Sequence, residues 1–369
     1  MSFHAMKQWR FMAKRFRAAV IGRTGRGNYG HNLDVATKTH PRVELVAVAD
    51  DNAEGLKKAG ERLGLTALYS DWREMLRKEK PEIVTIAMRW VDCHEEMVKA
   101  VAETGASMFM EKPMGRTLAE CDRMIDACER THVRMVVAHN MRMCPILDHV
   151  EKRVAEGLIG DLLEMRARGK EDKRAGGEDM MVLGTHLFDI LRRFGGDPLW
   201  AFGRVAVGGR EITRADVNQN APEGLGSIAG DDISGTFGFT KNVPGYFASK
   251  KTSDTAGQRW GVDLIGTTGM LRIRAGHVPE IWISSQRPDQ NAQWTRMQEV
   301  LELRPKSEPE ANHLMIDDLL DAVEQKREPQ ASARAARWAI EMAHGIYASQ
   351  RTGGRVKLPL SKREHPLLA

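Results

Sequence analysis

Two side chains of this sequence stand where acid–base chemistry could be done, Lys112 and His186. Lys112 belongs to Glu111-Lys112-Pro113, directly after an apolar run that ends at Met110. An ammonium there reaches over the cleft at the end of that run, where it could stabilise an alkoxide as it forms or tune a neighbouring base. His186 lies in Gly184-Thr185-His186-Leu187-Phe188-Asp189. For taking up or giving a proton, imidazole, with an unperturbed pKa of about 6.5, is the side chain best matched to neutral pH. His186 and Asp189 are three apart and share a face if the segment is helical, so Asp189 could orient the ring or hold a substrate hydroxyl. Each residue alone also fits a plainer role: a loop lysine before a turn proline, or an interior histidine capping a helix.

The element that would bring a redox partner to these groups is legible upstream. The apolar run Phe16–Ile21 ends in Gly22-Arg23-Thr24-Gly25-Arg26-Gly27-Asn28-Tyr29-Gly30, a helix-compatible segment continues to about Lys38, and a second apolar run, Val43–Ala49, closes on Asp50-Asp51. Strand, glycine-rich turn, helix, strand, acid is the dinucleotide-binding order. The glycine pattern fits two registers, G-x-T-x-x-G from Gly22 and G-x-G-x-x-G from Gly25. The first is preferred because Gly22 follows the strand directly. In it Gly22 permits the tight turn, Thr24 and Gly25 let the backbone approach a pyrophosphate, and Arg26 lies in the same turn. Gly27 lets the helix pack close to the strand, and free N–H groups at the helix start attract phosphate charge. Asp50 is placed to bond a ribose diol. Asp50 and Asp51, with no arginine directly following, favour NAD over NADP, since a 2′-phosphate would be repelled there.

The bulk properties narrow the field. A chain of 369 residues, 42% of them hydrophobic, suggests two domains with substantial cores. No apolar run approaches the ~20 residues needed to span a bilayer. The net charge of +5 is confined to the beginning of the chain, where Lys7, Arg10, Lys14, Arg15 and Arg17 have no acid among them. The rest of the chain is neutral, which removes a nucleic-acid footprint. Residues 1–14 are expected to be a basic disordered extension, dispensable for fold and cofactor binding, with a short organelle transit peptide as the alternative. Cys93, Cys121, Cys128 and Cys144 show no C-x-x-C spacing. They argue for a reduced cytoplasmic setting with neither disulfide framework nor metal site.

Further along, short apolar runs at Ile83–Met88, Ala106–Met110 and Val133–Ala138 alternate with helical stretches at Ala53–Leu63, Trp72–Lys78, Glu95–Glu103 and Leu118–Glu129. Such alternation implies a doubly wound parallel sheet, a Rossmann domain over residues 15–144, with chemistry in the loops after the strands. Arg89 and Trp90 occupy one such loop and could wall a nicotinamide. From residue 145 to 369 the texture becomes α+β. Strand-like runs fall at Leu162–Arg168, Ala201–Val207, Ile233–Phe239, Tyr246–Lys250, Val262–Ile265 and Ile281–Ser284. A hairpin is expected at Gly266–Gly269, and helices at Ile146–Glu156, His186–Phe194, Ala311–Gln325 and Ser332–Ser349. The sheet of this domain should be mostly antiparallel and open. The acid-rich segment Gly169-Lys170-Glu171-Asp172 to Gly176-Gly177-Glu178-Asp179 could reach a polyhydroxylated ligand through Lys170 and Asp172, or be a solvated turn.

Taken in order, Ala49-Asp50, His94, Glu111-Lys112-Pro113, Asn140-Met141-Arg142-Met143-Cys144-Pro145, Glu156-Gly157-Leu158-Ile159-Gly160 and Gly184–Asp189 make the chain resemble the glucose–fructose oxidoreductase / inositol dehydrogenase family (Gfo/Idh/MocA) over roughly residues 15–350. The resemblance implies a Rossmann domain joined to an α/β domain whose open sheet serves oligomerisation, as a dimer or tetramer. It implies oxidation of a secondary hydroxyl of a sugar, polyol or inositol with NAD or NADP. On this pattern Lys112 polarises the reacting oxygen and His186 moves the proton. Glu111 and His94 fall with the cofactor contacts, and Arg142, Lys170, Asp172 and Asp189 with the substrate. One position departs. Many relatives carry an aspartate four residues before the histidine, where this chain has Val182; either Lys112 and His186 suffice, or Glu178, Asp179 or Asp172 substitutes. Two other outcomes stay open: NAD-dependent glycoside cleavage through transient oxidation, which the resemblance also implies because some relatives do it, and, from the gap at Val182, a nucleotide-binding sensor without turnover.

Overall fold

Near-continuous apolar runs need cover on both faces, and the first half of the chain supplies it. The computed structural model describes residues 14–251, 259–285 and 293–368. Of the extension expected over residues 1–14, only Lys14 is among them. Six parallel strands form the first sheet: β1 (Phe16–Ile21), β2 (Val43–Ala49), β3 (Leu68–Tyr69), β4 (Ile83–Ile86), β5 (Ser107–Met110) and β6 (Met135–Val137). Their order is β3-β2-β1-β4-β5-β6. β4, β5 and β6 are buried along their whole length, and β1 at all but one residue, as parallel strands between helical layers must be. The order reverses between β1 and β4, so a ligand crevice opens beyond their carboxyl ends.

The helices Ala53–Leu63, Trp72–Glu79 and Leu118–Arg130 begin where the sequence offers a side-chain cap: Asn52, Asp71 and Thr117 each accept a hydrogen bond from a first-turn N–H. β3 carries no periodicity of its own and exists because Val48 and Ala49 offer it a free edge. The first helix is shorter than expected. It runs only over Leu33–Thr39 behind Asn32, which is left-handed and gives no side-chain cap, so the glycine-rich turn extends from Gly22 to Asn32.

The second sheet has ten strands. Its main order is β15-β14-β13-β12-β7-β11-β10-β8-β16, with β9 (Arg210–Glu211) on β8 (Pro198–Val207). The pairing is antiparallel except between β7 (Leu162–Arg168) and β11 (Pro244–Lys250). β12 (Gly261–Gly266) and β13 (Met270–Arg274) form the expected hairpin, with Ile265 opposite Met270. Strict alternation in β10 (Asp232–Phe239) puts Ile233, Phe237 and Phe239 inside. Phe188 of the helix Gly184–Gly195 packs there, 5.7 Å from Phe237 and 4.8 Å from Phe247 between ring centroids. The opposite face is open, exposing Leu199, Phe202 and Tyr246. β14 (Glu280–Ser284), β15 (Thr295–Arg296) and β16 (Val356–Lys357) complete the sheet.

The boundary expected at residue 144 does not divide the cores. The helix Glu308–Gln325 returns to the first sheet, burying Met315, Ile316, Leu319 and Leu320 with Phe16, Val20, Leu33 and Val136. The helix Ala333–Thr352 packs against β8, Gly184–Gly195 and Leu118–Arg130, bridging both halves. Among the described residues no helix is long and apolar enough to cross a membrane.

Candidate active site

At the carboxyl end of β1 the backbone itself sets the geometry. Gly25, Gly27 and Gly30 have φ of 85°, 86° and 60°, the left-handed region that a Cβ disfavours. A Cβ on Gly30 would lie 2.4 Å from both Ala87 O and Glu111 Oε1, and one on Gly27 would lie 2.6 Å from Arg89 N. Gly27 thus lets the turn press onto the loop after β4, not a helix onto a strand as the sequence suggested. The helix starts later, at Leu33, so its N-terminal N–H groups are not at Gly27 either.

Asp50 corrects a second expectation. It is buried, and its two oxygens accept from Thr24 N at 3.1 and 3.0 Å, Thr24 Oγ1 at 2.6 Å, Tyr29 OH at 2.9 Å and Asn52 N at 3.0 Å. A carboxylate offers about four lone-pair sites, so Asp50 is spent on fastening the turn to β2 rather than left facing a ribose. Burial and the Asp50 charge push the Tyr29 phenol far above its ordinary range, keeping it a donor. The half-exposed acid is Asp51, held by Arg23 Nε at 2.7 Å. Thr24 N and Gly25 N are also consumed, the latter by Asn28 Oδ1 at 3.0 Å.

The residues around the turn still suit a nucleotide. Gly22, Arg23, Asp50, Asp51, Ser70 and Arg73 are among the residues around a cavity of about 280 Å³ at the ends of β1 and β2. Gly25 has open space beside it, Arg23 and Arg26 offer cations at the turn, and Asp51 offers an acceptor. Arg26 bonds Asp92 at 2.7 Å and lies 5.7 Å from the Trp90 ring centroid, so Trp90 braces the turn. His94 is fully buried. Its Nε2 is 3.0 Å from Met88 O and its Nδ1 3.2 Å from Pro113 O. It therefore ties the loops after β4 and β5 together and presents no surface to a cofactor.

Lys112 and His186 meet in a second cavity, of about 270 Å³, between the two sheets. Lys112 Nζ donates to Val182 O at 3.3 Å. The backbone carbonyl of Val182 thus accepts one lysine N–H at the position where the resemblance implies a carboxylate. Burial pushes the Lys112 ammonium down, with Glu111 and Glu223 opposing. Burial also opposes ionisation of Glu111, but His31, then Lys112, outweigh it and hold that carboxyl down to about 2. His31 contributes its Nδ1 at 2.6 Å and its backbone N–H at 2.8 Å. His186 is pushed well below its ordinary value, by burial first and then by Lys112 and His139. Its Nδ1 is buried without a hydrogen-bond partner, and its ring is 5.4 Å from His139 and 6.4 Å from Trp260. A neutral imidazole beside an ammonium can accept a proton from an oxygen that the ammonium polarises.

Several expected substrate contacts are occupied elsewhere. Asp189 does not reach the His186 ring; Arg142 binds it through Nε at 2.8 Å and Nη2 at 2.5 Å, and neither lines the cavity. Asp172 is bound by Arg174 at 2.6 Å. Asp179 and Glu171 turn inward: Asp179 accepts from Ser249 Oγ at 2.6 Å and Glu171 N at 3.0 Å, and Glu171 accepts from Lys250 N at 2.8 Å. The acid-rich segment is therefore neither a solvated turn nor a ring of free carboxylates, and Gly177–Val182 is helical. Lys170 does reach the cavity, 5.5 Å from the Trp260 ring centroid. Sequence reasoning missed His31, His139, Arg174, Glu223, Trp260 and His277. His31 had a signal, standing next to Gly30; His139 lies in the loop after β6 and Arg174 within the acid-rich segment 169–179; Glu223, Trp260 and His277 are too distant in sequence from any motif to be placed.

A parallel sheet with a glycine-rich turn at its switch point, and a lysine–histidine cleft beneath a second sheet, is the framework of a nucleotide-dependent oxidoreductase. Residues 16–139 match the model of the oxidoreductase family with an NAD-binding Rossmann fold. D-apiose dehydrogenase of Paraburkholderia graminis is 30% identical over 283 residues, 73% of this chain and 70% of that protein. Myo-inositol 2-dehydrogenase of Thermotoga maritima is 26% identical over 197 residues, 51% of this chain and 59% of that protein. A solved levoglucosan dehydrogenase, in complex with NADH and levoglucosan, superposes with a TM-score of 0.72 at 19% identity, covering 94% of this chain and 100% of that one. The chain belongs to the Gfo/Idh/MocA oxidoreductase family.

Proposed function

We propose that the protein is an NAD-dependent dehydrogenase that oxidises a secondary hydroxyl of a sugar, inositol or related polyol. The observation that carries this reading is the convergence of Lys112 and His186 on one cavity adjoining the glycine-rich turn. When bound, NAD supplies the hydride acceptor. Arg23, Arg26 and Asp51 would hold it, with the open space beside Gly25 letting it lie against the backbone. Lys112 directs its ammonium at the substrate oxygen and favours the alkoxide as the O–H bond breaks. His186, neutral because it is buried beside a cation, accepts the proton. Burial of both groups excludes bulk water and strengthens their effect on that oxygen. Asp51 would disfavour a 2′-phosphate, supporting NAD over NADP. Lys170, beside Trp260, would meet the substrate from the second domain. The open face of the ten-stranded sheet, with Phe202 and Tyr246 exposed, suits a homo-oligomer, and the four unbridged cysteines suit a reducing cytoplasm.

The test is NADH formation on D-apiose, levoglucosan and myo-inositol, the compounds in the names of its relatives, extended to a wider polyol panel. Release of NADH with one of them is expected. Tight NAD binding with no turnover across the panel would favour a sensor, and cleavage of a chromogenic glycoside without net NADH would favour transient oxidation.

A further inference from the structure

One acid reaches the cleft from a segment with no motif. Glu223 lies in the turn Pro222–Gly224, on the long connection between β9 and β10, and lines the same cavity as Lys112 and His186. Its φ of 57° is left-handed, a conformation that a residue with a Cβ keeps only when its surroundings impose it. They do so here. Asn218 and Ile228 exchange backbone hydrogen bonds of 2.9 Å that close the loop, and Leu225 is buried. Gly224 packs so closely on Asp92 that a Cβ would lie 2.9 Å from its Cγ.

The loop thereby holds one carboxylate among cations. Arg89 Nη2 is 3.9 Å from Glu223 Oε1, and Lys112 and Arg174 line the same cavity. Glu178, nearby, does not line it, and burial pushes its carboxyl up. The cavity's other acid, Glu111, is fully buried and bound by His31. Asp179 and Asp172 are committed to Ser249 and Arg174.

We propose that Glu223 supplies the carboxylate that Val182 does not. It accepts a hydrogen bond from a substrate hydroxyl beside the reacting carbon, and its charge, added to that of Glu111, helps keep Lys112 an ammonium. The first role rests on the dehydrogenase reading; the second does not. The effect of Glu223 on Lys112 is in the direction required, opposing the loss of charge that burial favours.

The experiment compares the unmodified protein with Glu223→Gln and Glu223→Asp, after thermal unfolding has checked that each folds. Brief cyanate treatment labels only unprotonated amines, and peptide mass spectrometry reads labelling at Lys112 relative to exposed Lys58. Several-fold more label at Lys112 is expected in Glu223→Gln, and little change in Glu223→Asp. On whichever of D-apiose, levoglucosan or myo-inositol the unmodified protein oxidises, Glu223→Gln should lower kcat/KM by about tenfold or more, the size expected for losing a hydrogen bond to a charged group. Affinity for NAD should not change, and Glu223→Asp should recover part of the activity. Equal labelling in the unmodified and Gln proteins, or kcat/KM within twofold, overturns the proposal. If none of the three compounds is oxidised, the dehydrogenase reading suffers and the labelling alone decides the role of Glu223.

Discussion

The two ends of the cleft are built in opposite ways. At the cofactor end, Phe16 to Asp51 form one β-α-β stretch, and its acid, Asp50, is drawn inward until both oxygens accept from Thr24, Tyr29 and Asn52. At the substrate end, Lys112, His186, Lys170, Glu223 and Trp260 arrive from separate segments, and polar atoms stay unsatisfied: His186 Nδ1 and Arg89 Nε are buried without partners. The first end is rigid by construction. The second holds unmet hydrogen-bonding capacity, as a site that must bind a polar ligand requires. A carboxylate beside a glycine turn is therefore no guarantee of a ligand contact. What matters is how many donors its own chain already supplies.

The largest expected effect separates the chemistry from the cofactor end. His186→Ala should depress turnover by about 10²–10⁴-fold, typical of losing a general acid–base group, while NAD affinity measured by titration stays near its original value. Lys112→Ala should behave alike, and the double variant should lose less than the product of the singles because the pair acts as a unit. Near-normal turnover in His186→Ala would end the mechanism.

Next in size is the Arg142–Asp189 pair, read from sequence as facing substrate and found inside. Asp189→Ala leaves Arg142 largely buried without its partner and should destabilise the fold by about 3–5 kcal/mol in denaturant unfolding. A direct substrate contact would instead leave the unfolding curve in place and raise KM.

Acid tests the buried histidines. Burial holds His139 and His365 down to about 4 in the folded chain, against about 6.5 when unfolded. Above about 6.5 neither state takes the proton and stability is full. As the pH falls from there toward 4, the unfolded chain binds protons that the folded one refuses. Stability should then decline, by at most about 1.4 kcal/mol per pH unit for each histidine. Unfolding midpoints that stay flat across that window would show these rings to be solvated.

The smallest effect sharpens the contrast between neighbouring acids. Asp51→Ser should narrow the preference for NAD over NADP by about tenfold, roughly 1.4 kcal/mol, since it removes a negative charge and frees Arg23 for a 2′-phosphate. Asp50→Ala should mainly lower the unfolding midpoint. The reverse pattern of dissociation constants would return the ribose contact to Asp50.

The sequence by itself determined what is local or periodic. Ala53–Leu63 and Leu162–Arg168 have the expected ends because caps and hydrophobic period act within a few residues. The glycine turn and Lys112 were legible for the same reason, since strand, turn and following residue are contiguous. Tertiary structure decided everything that depends on who arrives from elsewhere. It let Tyr29 and Thr24 consume Asp50, gave Arg142 to Asp189, recruited β3 to an open edge, and returned the helix Glu308–Gln325 to the first sheet. It also carried Glu223 to the cavity that Lys112 lines, on a loop without a motif. Spacing along a chain shows which residues can share a face, but a side chain's hydrogen-bonding capacity is claimed by the nearest donors in space. Those are fixed only when the two sheets and the loops between them have packed.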